Sequence, residues 1–223
     1  MKFGKKVSLV IPTLNEGKNI GEVLKGIPSF VDEVIVVDGY SSDGTAEIAK
    51  RHGCIVLKDS FGKGSAVIKG VKNSTGDFII SMDGDLSNDP KEMGSLVGKL
   101  AEGYDLCLGS RFLYGGGTGD MSRVRVVGNA FFVWTVNRVW KRSLTDLCYG
   151  YRAFTRKAFE SLQLESRGFS IETEMTIKAI KHKLKIVEIP SFERKRSHGA
   201  SKLKPLQDGF GIMKIIFKEA VAG

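Results

Sequence analysis

Between residues 7 and 112 the chain alternates short apolar runs with segments of helical spacing, and this alternation leaves few architectures open. "VSLVIP" (7–12), "DEVIVVDG" (32–39), "CIVLKD" (54–59), "DFIISMDGD" (77–85) and "YDLCLGSRF" (104–112) read as strands. Helices are predicted between them over 17–27, 44–53, 64–74 and 90–103. Strands with almost no polar alternation are buried on both faces. With helices as connections, they make a mostly parallel α/β sheet covered on both sides. Such a sheet takes its ligand at the carboxyl ends of its strands.

The second half follows another pattern. "LYGGGTGDMSR" (113–123) is a glycine-rich loop, expected to be mobile and to order only when ligands bind. Residues 124–142 read as a helix that is apolar almost all round, so it is buried or lies against something apolar. Residues 143–162 are mixed with a helical end, 170–183 a helix, and 185–196 a strand with a basic end. From Leu203 onward, Leu206, Phe210, Met213 and Phe217 oppose Gln207, Lys214 and Lys218, which is the pattern of an amphipathic helix. One domain over 1–223 is expected, with a ligand-binding half (1–112) and a second half (113–223).

Charge narrows the partner. The chain carries 34 Lys+Arg against 25 Asp+Glu, a formal +9, which favours an anionic partner over a neutral one. Cys54, Cys107 and Cys148 are odd in number and form no C-x-x-C, so neither a disulfide framework nor a zinc site is indicated. The apolar stretch behind the N-terminal lysines is too short for a signal peptide, and no run approaches the roughly 20 apolar residues of a membrane span. The expected location is cytoplasmic, peripheral at a membrane.

Against that basic background, Asp83, Asp85 and Asp89 stand within seven residues at the end of an apolar run. Asp83 and Asp85 flank Gly84, and carboxylates that close repel unless a cation lies between them. Oxygen ligands of this kind suit Mg²⁺ or Mn²⁺ shared with substrate phosphates. Gly84 would let a diphosphate approach the backbone. Asp89, followed by Pro90 and Glu92, reads instead as a helix start. At other strand ends stand Asp38, of the kind that binds a base or ribose, and Lys63 between two glycines, which either meets a phosphate or decorates a loop. Asp43 and Gly44 read as a turn. No G-x-G-x-x-G follows the first strand and no G-x-x-x-x-G-K-[ST] occurs, which argues against a dinucleotide dehydrogenase and a P-loop enzyme.

Taken in order, "VSLVIPTLNEGKNI", "VIVVDGYSSDGTAEIA", "GKGSAVIKG", "ISMDGDLSNDP" and "LCLGSRF" resemble the inverting nucleotide-sugar glycosyltransferases of family 2, with the GT-A fold. "GYRAFTRKAFE", "SIETEMTIKA" and "RSHGASKL" narrow the resemblance to the dolichyl- and polyprenyl-phosphate hexosyltransferases. The resemblance implies a Rossmann-like sheet with C-terminal acceptor-side helices. It implies that Pro12, Asn15, Glu16 and Asp38 line a nucleoside pocket, and that Asp83, Gly84 and Asp85 hold a divalent metal and the donor diphosphate. Arg196, Ser201 and Lys202 match the R-x-x-G-x-S-K element that closes over phosphates. Arg111 matches an acceptor-side arginine, and Arg123 and Arg125 fall where the family places acceptor-phosphate arginines. Ser87 stands where some relatives have a Gln metal ligand. Gly39 replaces a second acid common in mannosyl enzymes, which shifts the expected donor from GDP-mannose toward a UDP-sugar.

The implied partners are a nucleotide-sugar, a polyprenyl phosphate and a membrane surface, with no nucleic acid. The helix at 125–140 and the C-terminal helix are candidates to meet the membrane, or else to pack on the sheet or form a dimer contact. Lys202, Lys204, Lys214 and Lys218 would face headgroups. Glu172 and Glu174 read as alternative bases or as ordinary surface glutamates. A nucleotidyltransferase would carry a basic glycine-rich loop where "PTLNEGKN" stands. A nucleic-acid binder would leave the strand-end acids unexplained. A non-catalytic sugar- or lipid-binding module would keep the fold without turnover.

Overall fold

The apolar runs form strands β1 (Val7–Thr13), β2 (Glu33–Asp38), β3 (Ile55–Lys58), β4 (Phe78–Ser81) and β5 (Leu106–Ser110) in the computed structural model, which describes residues 4–222. Residues 1–3, part of the stretch read above against a signal peptide, and Gly223 lie outside the described residues. The connections hold helices α1 (Ile20–Lys25), α2 (Thr45–Arg51), α3 (Lys63–Lys72) and α4 (Met93–Ala101). The fourth and fifth strands stop sooner than expected. β4 ends at Ser81, so Asp83 and Asp85 stand in the loop beyond it.

Downstream come β6 (Gly117–Thr118), α5 (Arg123–Trp140), β7 (Arg152–Thr155), α6 (Arg156–Leu162), α7 (Ile171–Lys181), β8 (Ile186–Pro190), β9 (Phe192–Glu193) and α8 (Pro205–Val221). The central sheet has the order β3-β2-β1-β4-β7-β5-β8, so it draws strands from both sides of residue 112. β7 is antiparallel to β4 and β5, and every other pairing in the sheet is parallel. The sequence pattern hides β7 because Arg152 lies in it. That guanidinium is buried and donates to the carbonyls of Glu172 and Tyr149, so a charged residue occupies an interior strand.

Each face of the sheet has its own apolar layer. On one, Leu9, Ile11 and Ile80 meet Ile20 and Val23 of α1 and Leu96 and Val97 of α4. On the other, Val10, Val37 and Ile79 meet Val67 and Val71 of α3, Phe159 of α6 and Met175 of α7. Alternate side chains of one strand thus feed opposite layers. A third cluster joins Val136 of α5 and Ile177 and Ile180 of α7 to Ile212 and Ile216 of α8.

Two expectations for the second half change. The glycine-rich loop contains β6, which pairs in parallel with β9, Gly117 beside Phe192 and Thr118 beside Glu193. Pairing is possible because Gly117 has no side chain: a Cβ there would lie 2.7 Å from the Phe192 ring. The apolar character of α5 does not come from burial all round. Only Asn129 and Val136 are buried, while Val124, Val127, Phe131, Trp134 and Val139 are exposed. Likewise the stripe Leu206, Phe210 and Phe217 of α8 faces outward, and Ile212 and Ile216 make its buried contact. No helix among the described residues is long and apolar enough to cross a membrane.

Helix α3 lies close against the sheet at Gly70. A Cβ there would lie 2.4 Å from Val10 Cγ1 and 3.1 Å from Val37 Cγ2. Valine is stiff at χ1, so neither neighbour can yield without moving its strand. Gly70→Ala is expected to lower the unfolding free energy by about 1–3 kcal/mol. A fall in the urea midpoint at unchanged slope would verify this.

Candidate active site

The carboxyl ends of β1 and β4, with the loops that follow them, wall a cavity of about 260 Å³. The strand order reverses between β1 and β4, which is where an open α/β sheet leaves a crevice. The backbone is strained around it: Asn15, Tyr40 and Leu86, just beyond β1, β2 and β4, have φ of 54°, 63° and 68°. Non-glycine residues adopt such angles where surrounding structure holds them, commonly near functional sites.

Asp83 and Asp85 both line this cavity. Their loop is fixed from within: the Asn88 side-chain oxygen accepts the Asp83 N–H at 2.9 Å, and Asp85 Oδ1 accepts the Ser87 N–H at 3.0 Å. Gly84 is needed for packing as well as for access, since a Cβ would lie 2.9 Å from Thr13 Cγ2 and 3.4 Å from Ile11 Cγ2. Each acid is matched by a cation from elsewhere in the chain. Lys63, at the first turn of α3, bridges Asp83 (2.7 Å) and Glu172 (3.1 Å). Burial lowers the pKa of the Lys63 ammonium, but Asp83 and Glu172 outweigh it and hold it above the usual lysine value. Arg196 bridges Asp85 and Asp120, both at 3.2 Å. Among the described residues no group of three or more His, Cys, Asp or Glu could enclose a metal. The protein offers two hard carboxylates on the cavity wall, a donor set that suits Mg²⁺ or Mn²⁺.

Of the other expected residues, Pro12, Glu16, Lys63, Arg125, Arg196, Ser201 and Lys202 line the cavity, and Asn15, Asp38 and Arg123 do not. Burial and the Asp85 carboxylate raise the Glu16 pKa against the opposing pull of Asn19, Arg196 and Lys202. Asn15 accepts the Ser42 N–H, and Asp38, fully buried, accepts from Lys58 Nζ (2.6 Å) and the Ser41 N–H (3.0 Å). Both brace the loop after β2 from behind the cavity wall. Arg123 is exposed at the start of α5. The turn reading of Asp43 and the helix-start reading of Asp89 hold: each carboxylate accepts a backbone N–H, from Thr45 and Lys91 respectively.

Arg111 differs from expectation. It lines the cavity, but Asp146 takes its Nε and Nη2 at 2.7 and 3.0 Å, and Glu193 takes Nη1 at 3.2 Å. With the Tyr149 ring 4.6 Å from its Cζ, this guanidinium is held on every side. Glu172 and Glu174 are not surface glutamates. Both are buried, Glu172 on Lys63 and Glu174 on Lys178 and the Ser166 N–H. Asp120, Asp146 and Glu193 went unnoticed in the sequence, since Asp146 and Glu193 meet Arg111, and Asp120 meets Arg196, across long stretches of chain that no local pattern marks.

A second cavity of about 310 Å³ adjoins the first and shares Arg111, Arg125, Cys148, Phe169 and Leu203 with it. Its walls are largely apolar, with Val124 and Phe132 of α5 facing Leu206, Ile212 and Met213 of α8.

The sequence pattern described as "Glycosyl transferase family 2" matches residues 8–163. The chain belongs to this family. It is 34% identical over 221 residues to glycosyltransferase AglJ of Haloferax volcanii, covering 96% of this chain and 72% of that one. It is 33% identical over 211 residues to a dolichol-phosphate mannosyltransferase of Pyrococcus furiosus, with 89% of this chain covered, and spans 59% of that relative's length. Among solved structures, glucosyl-3-phosphoglycerate synthase of Mycobacterium tuberculosis, in complex with Mn²⁺, UDP and glucosyl-3-phosphoglycerate, superposes with a TM-score of 0.78 at 24% identity. That likeness covers 98% of this chain and 81% of the synthase, and the fold is GT-A.

In this family 2 glycosyltransferase the brace at Asp38 gives a stability prediction. Burial raises the Asp38 pKa, but hydrogen bonds from Lys58 and Ser41 outweigh it and leave the carboxyl below its ordinary value. A depressed folded pKa contributes stability above the unfolded value, lost as pH falls through the folded one. Asp38→Asn is expected to cost about 1–3 kcal/mol at pH 7. The difference from the unaltered protein should shrink below about pH 4, as read by urea unfolding across pH.

Proposed function

We propose that this hexosyltransferase moves a hexose from a nucleotide-sugar to a polyprenyl phosphate, with inversion at the anomeric carbon. The observation that carries this reading is the adjacency of the two cavities. A charged pocket at the strand ends shares five lining residues with an apolar groove between α5 and α8. A small hydrophilic acceptor has no use for the groove, and an amphiphile with a phosphate at one end matches both. The dolichol-phosphate mannosyltransferase relative supports the same acceptor class.

In this reading Pro12 and Glu16 line the nucleoside side, with Asn15 and Asp38 holding the wall behind them. Asp83 and Asp85 would hold a divalent cation, and Gly84 keeps their turn tight. Mg²⁺ or Mn²⁺ there would supply positive charge to offset that of a departing diphosphate. Lys63 and Lys202 face the same phosphates, and Arg196 and Ser201 close the opposite rim. Arg125 stands where pocket meets groove and takes the acceptor phosphate. Arg111 acts by fixing Asp146 and Glu193 beneath that junction, and exposed Arg123 contributes positive field at its mouth.

The acceptor supplies its own nucleophile. A phosphomonoester with a second pKa near ~6 is largely dianionic at neutral pH, so no general base is required. One of its oxygens forms the new bond to the anomeric carbon. The bond from that carbon to the diphosphate oxygen breaks, and the electron pair leaves with the nucleoside diphosphate. The difficulty is bringing two anions together, and the arginines offset that repulsion and align the acceptor. Glu172 serves as anchor for Lys63 rather than as a base.

The outer faces of α5 and α8 extend the groove toward a lipid surface. Phe131, Trp134, Phe210 and Phe217 are exposed there, with Lys204 and Lys214 exposed beside them. An apolar face flanked by lysines suits peripheral contact with anionic lipid. Gly39 lines the cavity where a side chain would press on the Thr13 carbonyl at 3.2 Å, and we assign the donor as a UDP-sugar ahead of GDP-mannose.

The test is transfer from radiolabelled UDP- and GDP-hexoses to dolichyl phosphate in detergent, with and without Mg²⁺ or Mn²⁺. Label should enter the organic phase with one donor and only with metal. Asp85→Asn should cut the rate by about 100-fold or more while the protein stays folded. Metal-dependent release of free nucleotide without organic-phase label would move the acceptor away from lipid phosphate.

A further inference from the structure

Arg196 lines the first cavity and Arg125 lines both, and one carboxylate joins them. Asp120 Oδ2 accepts from Arg196 Nη2 at 3.2 Å and Nε at 3.4 Å, and Oδ1 accepts the Arg196 N–H at 3.4 Å. The same Oδ2 lies 3.5 Å from Arg125 Nη1, which also donates to the Asp120 carbonyl at 3.4 Å. Both arginines line the cavity, and Asp120 stands behind them. Its place is set by the short sheet: its N–H donates to Thr118 Oγ1 in β6, and that hydroxyl donates to Glu193 in β9. An unbroken series of charges thus runs from Asp85 through Arg196 and Asp120 to Arg125.

We propose that Asp120 is a positioning residue that holds Arg125 and Arg196 side by side on the wall of the first cavity and yields their free N–H groups to an entering phosphate. This deepens the reading above and rests on it. Without Asp120, Arg125 would lose its carboxylate partner and Arg196 would keep Asp85 alone, so the two like charges would swing apart; a shared carboxylate fixes them before the substrate arrives. The carboxylate also competes with phosphate and repels it. Loss of that charge therefore has opposite effects on binding and turnover. The ground-state anion gains affinity, while the aligned geometry that turnover needs is lost. A residue that merely packed the loop would not separate the two.

The experiment uses the full chain with Asp120→Asn and Asp120→Glu. Calorimetry with inorganic phosphate and with geranyl phosphate measures binding without turnover, and the organic-phase assay measures kcat. For Asp120→Asn the Kd of both phosphates should fall about fivefold. Its kcat should fall about tenfold at an unchanged melting temperature. Asp120→Glu should restore both to within about threefold of the unaltered protein. An Asn variant with kcat and phosphate Kd within about twofold of the unaltered protein would overturn the assignment. So would a lowered melting temperature with Kd unchanged, or no phosphate binding by any of the three proteins. Failure of the unaltered protein to label polyprenyl phosphate would sink the acceptor reading instead. The inorganic-phosphate arm would still decide the role of Asp120.

Discussion

Two carboxylates at the end of β4 cannot share one turn uncompensated, and much of the structure around them is explained by how their charge is met. Lys63 reaches Asp83 from the first turn of α3, and Arg196 reaches Asp85 from the segment after β9. Each cation is held in turn by a second acid, Glu172 and Asp120. Gly150 leaves room for this arrangement, since a Cβ there would lie 2.5 Å from Lys63 Nζ and 3.3 Å from Asp83 Oδ2. The same charges that repel when alone become a set of exchangeable partners for a metal and for phosphates.

That balance links the two halves of the chain. The sheet provides the acids at a topological switch point, where the strand order leaves an opening. The second half provides the arginines and the apolar groove. β7 enters the sheet between β4 and β5, and so carries the loop of Asp146, Cys148 and Tyr149 to the floor of the junction. Asp146 then holds Arg111, whose buried pairing gives the junction a rigid base rather than a free cation. The catalytic proposal depends on this division: rigid acids on one side, arginines with remaining N–H groups on the other, and a lipid-sized groove behind them.

The parallel sheet was legible because apolar runs and helical spacing are local properties of the chain. Asp83, Asp85 and Arg196 could be singled out by strand-end placement and a short motif, and they line one cavity. β7 was hidden by buried Arg152, whose guanidinium donates to carbonyls that the sequence does not reveal. The apolar helix α5 could be read but its surroundings could not, because apolar spacing does not distinguish a core neighbour from a groove or a surface. Glu193 escaped notice because Arg111 lies 82 residues away, and Asp120 because Arg196, the second of its two arginines, lies 76 residues away. Pairing over such distances is a product of topology, and a short-range pattern carries no trace of it.

The central claim is that these paired acids hold a divalent cation only together with a nucleoside diphosphate. Electron paramagnetic resonance of Mn²⁺ titrated into the protein, with and without UDP, tests it most directly. With two carboxylates already matched by Lys63 and Arg196, Mn²⁺ alone should bind weakly, and UDP should tighten it at least about tenfold through ligands from the diphosphate. Asp85→Asn should abolish that gain. Tight Mn²⁺ binding without nucleotide, or a UDP effect that survives Asp85→Asn, would contradict the account.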